Sequence, residues 1–113
     1  MYVCKIKVGA KKIDVVRSSM KLESFYKMLD CELVESVALA PYGEGSPVML
    51  VDESGKIKGK PMNRLATEIL WQSRGLGDFI VGDVAVVMFD GIDDWMGWDA
   101  EEDVMCYMMR WFG

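Results

Sequence analysis

The sequence has no histidine. That removes the Ser-His and Cys-His forms of nucleophilic catalysis and the commonest transition-metal ligand. Acid–base chemistry would fall to carboxylates, lysines or tyrosines. Cysteine is scarce: Cys4, Cys31 and Cys106 are odd in number, far apart and without a C-x-x-C pair. A disulfide framework or a zinc site is therefore not expected, and a reducing cytosol fits best. No run approaches the ~20 apolar residues of a membrane helix. The opening MYVCKIKVGAKK alternates and carries lysines, unlike the apolar core of a signal peptide. Positive charge is also short. Thirteen Lys and Arg against eighteen Asp and Glu leave a formal charge of −5, which argues against general nucleic-acid binding.

What remains is the composition of a folded domain. Of 113 residues, 51% are hydrophobic and 27% charged, enough for one core and too few for two, so a single domain over 1–113 is expected. Residues 2–8 put Tyr2, Cys4, Ile6 and Val8 on one side and Lys5 and Lys7 on the other, a half-buried strand. Gly9 and Ala10 turn it into a second strand over 12–17. Ser18 or Ser19 can cap a helix over 20–30, with Leu22, Phe25, Met28 and Leu29 on its apolar face. A strand over 32–40 follows, with Glu35 in phase with Leu33, Val37 and Leu39.

Residues 41–47 form a loop with two glycines, and 48–51 are continuously apolar, a strand buried on both faces. The lysines of 56–60, KIKGK, alternate like an edge strand. Pro61 stops it, and Asn63 caps a helix over 63–73. Residues 79–81 and 84–89 read as one or two strands broken at Gly82 and Asp83. Asp99 with Glu102 resembles a capping box before a last helix over 100–112. That helix is apolar around most of its circumference, which points to a homo-oligomer through the C-terminal helix. The expected fold is α+β: a mostly antiparallel sheet of about five to six strands with three helices.

Residues 51–67, VDESGKIKGKPMNRLAT, resemble an uncharacterised family, a domain of unknown function found in bacteriophages, plasmids and other mobile elements. Its signature is similar to D-E-x-G-K-x-K-G-x-P-x-N-R-x-A-T. The segment 77–87, GDFIVGDVAVV, and the strand end Leu33-Val34-Glu35 add to the resemblance, which covers roughly 32–88. The family's glycine pair before that glutamate is replaced by Cys31 and Glu32, and the acidic Trp-bearing tail lies outside its pattern. The resemblance implies a small protein of mobile-element origin and brings no reaction, cofactor or catalytic residue.

Three constellations carry chemistry. Lys56, Lys58, Lys60, Asn63 and Arg64 put alternating cations beside a helix N-terminus, an arrangement that favours an anion. Lys56, Lys58, Asn63 and Arg64 with Glu35 and Tyr42 make the expected ligand-binding set, set against the plainer account of a solvated edge and an ordinary cap. The acidic region 90–103, with Asp93, Asp94, Trp95, Trp98 and Asp99, offers a partner-binding surface that mimics nucleic acid or docks on a basic host protein. Its spacing is not that of a calcium loop, and a solvated loop before a helix is the plainer account. Glu35 and Asp52, on neighbouring strands, would suit acid–base work only if close.

The resulting expectation is a non-enzymatic binding protein without metal or cofactor, in the host bacterial cytoplasm. It would sequester a nucleotide-like anion in a counter-defence role. An acidic protein–protein inhibitor or nucleic-acid mimic is the alternative.

Overall fold

The computed structural model describes residues 1–89 and 95–111, and of Trp95 the backbone alone. Its strands are β1 (Tyr2–Ile6), β2 (Asp14–Arg17), β3 (Val34–Ala38), β4 (Ser46–Asp52), β5 (Val84–Phe89) and the two-residue β6 (Trp95–Met96). Its helices are α1 (Leu22–Leu29), α2 (Arg64–Arg74) and α3 (Glu101–Met108), the last running into a 3-10 turn at Met109–Trp111. The strands form one antiparallel sheet in the order β2-β1-β5-β4-β3, with β6 alongside the end of β5. The α+β expectation holds.

The sheet is covered on both faces, and the pleat sorts the core accordingly. Cys4, Ile6, Met49, Val51, Val84 and Val86 face α2 and α3. Val3, Val48, Leu50, Ala85 and Val87 face Phe25 and Leu29 of α1. This is why β4 and β5 read as unbroken apolar runs instead of alternating ones. It also buries Val3, which alternation alone would leave on the wet side of β1. Burial pushes the Cys4 thiol up to about 12, with the Asp14 carboxylate adding to the effect. In a thiol titration of the native protein near neutral pH, exposed Cys106 is expected to react first and Cys4 only on unfolding.

Several local expectations change. Residues 56–60 are not an edge strand. They belong to a run of turns, with Lys58 N–H donating to the Ser54 carbonyl at 2.9 Å and Lys60 N–H to the Gly55 carbonyl at 2.9 Å. Gly59, at φ 74°, takes a left-handed shape that a side chain would resist. Residues 79–81 are not a regular strand either; Val81 makes only an isolated bridge to Met62. Neither Ser18 nor Ser19 caps α1, whose first residue is preceded by Lys21 with no side-chain cap bond. The Asp99–Glu102 box is also not formed, because Ala100 is the N-cap of α3. Glu101, Glu102 and Asp103 still place negative charge at the positive end of that helix.

Candidate functional site

The signature stretch builds a clamp before it offers a site. Asp52 ends β4 with a side chain only 2% exposed. It accepts hydrogen bonds from Lys58 Nζ at 3.0 Å, Lys60 Nζ at 2.8 Å and the Ser54 N–H at 2.9 Å. Burial alone would raise its pKa. The bonds from Lys60, Lys58 and Ser54 outweigh that and hold the carboxyl below its ordinary value. Lys60 also donates to the Leu29 and Asp30 carbonyls at 2.9 and 2.7 Å, meeting the free end of α1. One lysine thus ties the end of β4 to the helix packed on that face of the sheet.

Asn63 is fully buried. Its Oδ1 accepts from the Ala66 N–H at 3.1 Å, the expected cap. Its Nδ2 donates to the Ile6 and Gly82 carbonyls, both at 2.9 Å. Thr67, one turn on, accepts the Ile80 N–H at 2.9 Å. Gly55 lies so close to Val81 that an added Cβ would sit 2.8 Å from its Cγ2. The signature residues Asp52, Gly55, Lys58, Asn63 and Thr67, with Lys60 from a variable position of the signature, therefore hold the chain to itself.

The remaining cations of the expected anion site are also met from within. Lys56 pairs with Asp78 and lies 4.4 Å from the centroid of the Phe79 ring. Its hydrogen bond, aided by the Phe79 N–H, lowers the Asp78 pKa. Arg64, 86% exposed, bonds Glu68 one turn along at 3.1 Å. Each of Lys56, Lys58 and Arg64 already has a carboxylate, and Asn63 is sealed from solvent. Glu35 and Asp52 do not form an acid–base pair. Val34 is paired with Asp52 and Glu35 with Val51, so the pleat sends the two carboxylates to opposite faces.

The structure instead brings together residues taken from different constellations. A cavity of about 580 Å³ lies at the tip of the β3–β4 hairpin, where Tyr42 and Gly45 bridge. Tyr42, Met88, Met96 and Trp98 supply apolar wall, and Glu44, Asp99 and Asp103 supply carboxylates. No lysine or arginine is among its lining residues. Behind it the rings of Tyr42, Trp98 and Tyr107 meet with centroids 5.5–5.7 Å apart. Trp98 Nε1 donates to the Val86 carbonyl at 3.2 Å, and Tyr107 OH to the Ala40 carbonyl at 2.5 Å, so the cluster is anchored to the core. Arg110 already lies 5.4 Å from the Tyr42 centroid and 5.5 Å from that of Tyr107. Both distances fall within the range of a cation–π contact. Loss of solvation raises the Tyr42 pKa, and the Asp103 carboxylate, which accepts its hydroxyl at 3.3 Å, raises it further.

Of the expected partner-binding residues, Trp98 and Asp99 line this cavity. Trp95 contributes backbone to β6, and Asp93 and Asp94 lie outside the described residues. Glu35 and Lys56 share a second, smaller cleft of about 270 Å³ with Glu53, Asp78 and Phe79. Among the described residues no cluster of three acidic or sulfur ligands is placed to hold a metal. No helix is long and apolar enough to cross a membrane among them either.

A family model described as a domain of unknown function, DUF3846, matches residues 1–106. The match extends well beyond the 32–88 that the signature alone suggests, taking in β1, β2 and most of α3. No curated protein and no solved structure matches the chain.

Proposed function

This chain belongs to the DUF3846 family, and from that premise we propose that it is a non-enzymatic binding protein whose recognition site is the Tyr42–Trp98 cavity. Its partner is a basic protein surface that inserts a lysine or arginine side chain. The observation that carries this reading is a cavity lined, among the described residues, by aromatic rings, methionines and three carboxylates and by no lysine or arginine, with Arg110 beside the Tyr42 ring. Such a lining favours a positively charged group through its carboxylates and ring faces, and the −5 charge of the whole chain steers a basic partner toward it. The sequence between Phe89 and Trp95 adds Asp90, Asp93 and Asp94 to the acidic balance.

The signature's likeness to phage and plasmid proteins supports an origin on a mobile element. The partner is then a host protein in the bacterial cytoplasm, and the role counter-defence. Self-association through the C-terminal helix is part of the same reading. Met105 and Met109 are 41% and 61% exposed, and they line an apolar cleft with Ile13, Lys11 and Lys12. Sequestration of a nucleotide-like anion has less support, because Lys56, Lys58 and Arg64 are each matched by an internal carboxylate.

The test is a titration with a triarginine peptide, followed by the Trp98 indole N–H resonance, with a nucleotide panel run in parallel. Binding that shifts this resonance, weakens with salt and drops about tenfold or more in Asp99→Asn/Asp103→Asn is the expected result. Nucleotide binding with no response to the peptide would overturn the assignment.

A further inference from the structure

The free edge of β3 points to a second binding surface, and we propose that it accepts an extended, lysine- or arginine-bearing segment of another protein as an added strand. β3 is the terminal strand of the sheet and, among the described residues, has a neighbour on one side only. Its hydrogen-bond phase follows from the two ends of the hairpin. Glu53 N–H donates to the Leu33 carbonyl at 3.1 Å, and Leu39 N–H to the Pro47 carbonyl at 3.0 Å. In this register residues 33, 35, 37 and 39 spend their backbone groups on β4. The N–H and C=O groups of Val34, Ser36 and Ala38 therefore point away from the sheet. A strand laid there meets three residues of unpaired ladder, the geometry of strand addition.

Charge selects the occupant. An added strand puts alternate side chains on the face that holds Glu35 and Val37. That face opens on the cleft of about 270 Å³, where Asp52, Glu53 and Asp78 join Glu35 and, among the described residues, the one cation in the lining is Lys56, already bound to Asp78. Lysines or arginines at alternate positions fit this excess of carboxylate, while small apolar residues fit beside Val37. A second copy of this chain fits poorly. Antiparallel pairing about Ser36 sets each Glu35 opposite the other copy's Val37 and brings both carboxylates to one face, where like charges oppose. The surface runs along β3 from the open end of the β3–β4 hairpin, shares no residue with the Tyr42 cavity at its tip, and does not depend on that cavity's role.

The probe is a short fluorescein-labelled peptide alternating lysine and valine, read by anisotropy and by amide hydrogen exchange. A matched peptide carries N-methyl groups on alternate backbone amides, so that the protein is unchanged. The expected result is saturable binding that weakens with salt, slowed exchange at Ser36 and Ala38, and about tenfold or greater loss on N-methylation. Glu35→Lys is expected to weaken binding similarly. Ser36→Pro removes an outward donor that β4 does not use and should abolish it. Failure of the unmethylated peptide to bind, equal binding of the methylated one, or unslowed exchange at Ser36 and Ala38 would each overturn the proposal. So would sedimentation showing the edge consumed by dimerisation that Ser36→Pro reverses. None of these readouts involves Tyr42 or Trp98, so the two surfaces succeed or fail separately.

Discussion

Asn63→Asp is expected to destabilise the protein by about 3–5 kcal/mol, while Arg64→Ala, one residue away, stays within about 0.5 kcal/mol of the wild type. The difference comes from what each side chain touches. Asn63 is fully buried and divides its amide between three backbone groups: oxygen to the Ala66 N–H, nitrogen to the Ile6 and Gly82 carbonyls. Aspartate keeps the first bond and cannot make the other two. It would place a carboxylate against two carbonyl oxygens in a site closed to solvent, where an unpaired charge is most costly. Arg64 is 86% exposed, and its bond to Glu68 is a surface pair along one helix, worth a few tenths of a kcal/mol. Urea unfolding of the two variants measures the contrast. A large loss on Arg64→Ala with little on Asn63→Asp would reverse the roles given to them.

The second large effect is expected at Asp52. Replacement by alanine leaves Lys58 and Lys60 facing a position without charge, at a cost of about 2–3 kcal/mol. The lower part of the range for buried pairs applies because the Lys58 and Lys60 side chains are 39% and 16% exposed and can partly recover water. The pH dependence has a definite sign. The Asp52 pKa is lowered in the folded protein from its ordinary 3.8 by the net effect of the lysine and Ser54 bonds over burial. In acid the unfolded chain therefore binds this proton more readily than the folded one, and stability falls as pH falls. The contribution of Asp52 is complete above its unfolded pKa and is lost as pH drops through the lower folded value. The stability gap between wild type and Asp52→Ala should narrow over that acidic window.

Part of this was legible in the sequence. The run of Val48 to Val51 fits a strand covered on both faces, and the Asn63 cap follows from a polar residue before an apolar stripe. The lysines of 56–60 misled for a physical reason. Alternating lysines look like a solvated strand face unless a buried acid is available to turn the chain back on itself. The only trace of that acid is Asp52 at the end of an apolar run, just before turn residues. The two glycines of the signature, likewise, serve a close approach at Gly55 and a left-handed turn at Gly59.

The candidate site was less readable. Tyr42 and Trp98 stand far apart in the sequence, and nothing local to either anticipates rings 5.6 Å apart. Their meeting depends on the β4–β5 and β5–β6 registers, which place Phe89 opposite both Ser46 and Trp95 and so bring the hairpin tip close to β6 and Trp98. Val3 was hidden by the same kind of non-local fact, the packing of α1 across a face that alternation assigns to solvent. The outward phase of β3 also emerges only once its partner strand and register are known.

The signature residues Asp52, Lys58 and Asn63 thus act through the fold, bound within the molecule, and in the function proposed above recognition falls to acidic surfaces at the β3–β4 hairpin. A double-mutant cycle on Asp52→Ala and Lys60→Met, measured by urea unfolding near neutral pH, tests this most directly. The account predicts a coupling energy of about 1–3 kcal/mol between the two positions. Additive effects, together with marked stabilisation of the wild type by a nucleotide, would contradict it, because they would mean that Lys60 is free to serve a ligand.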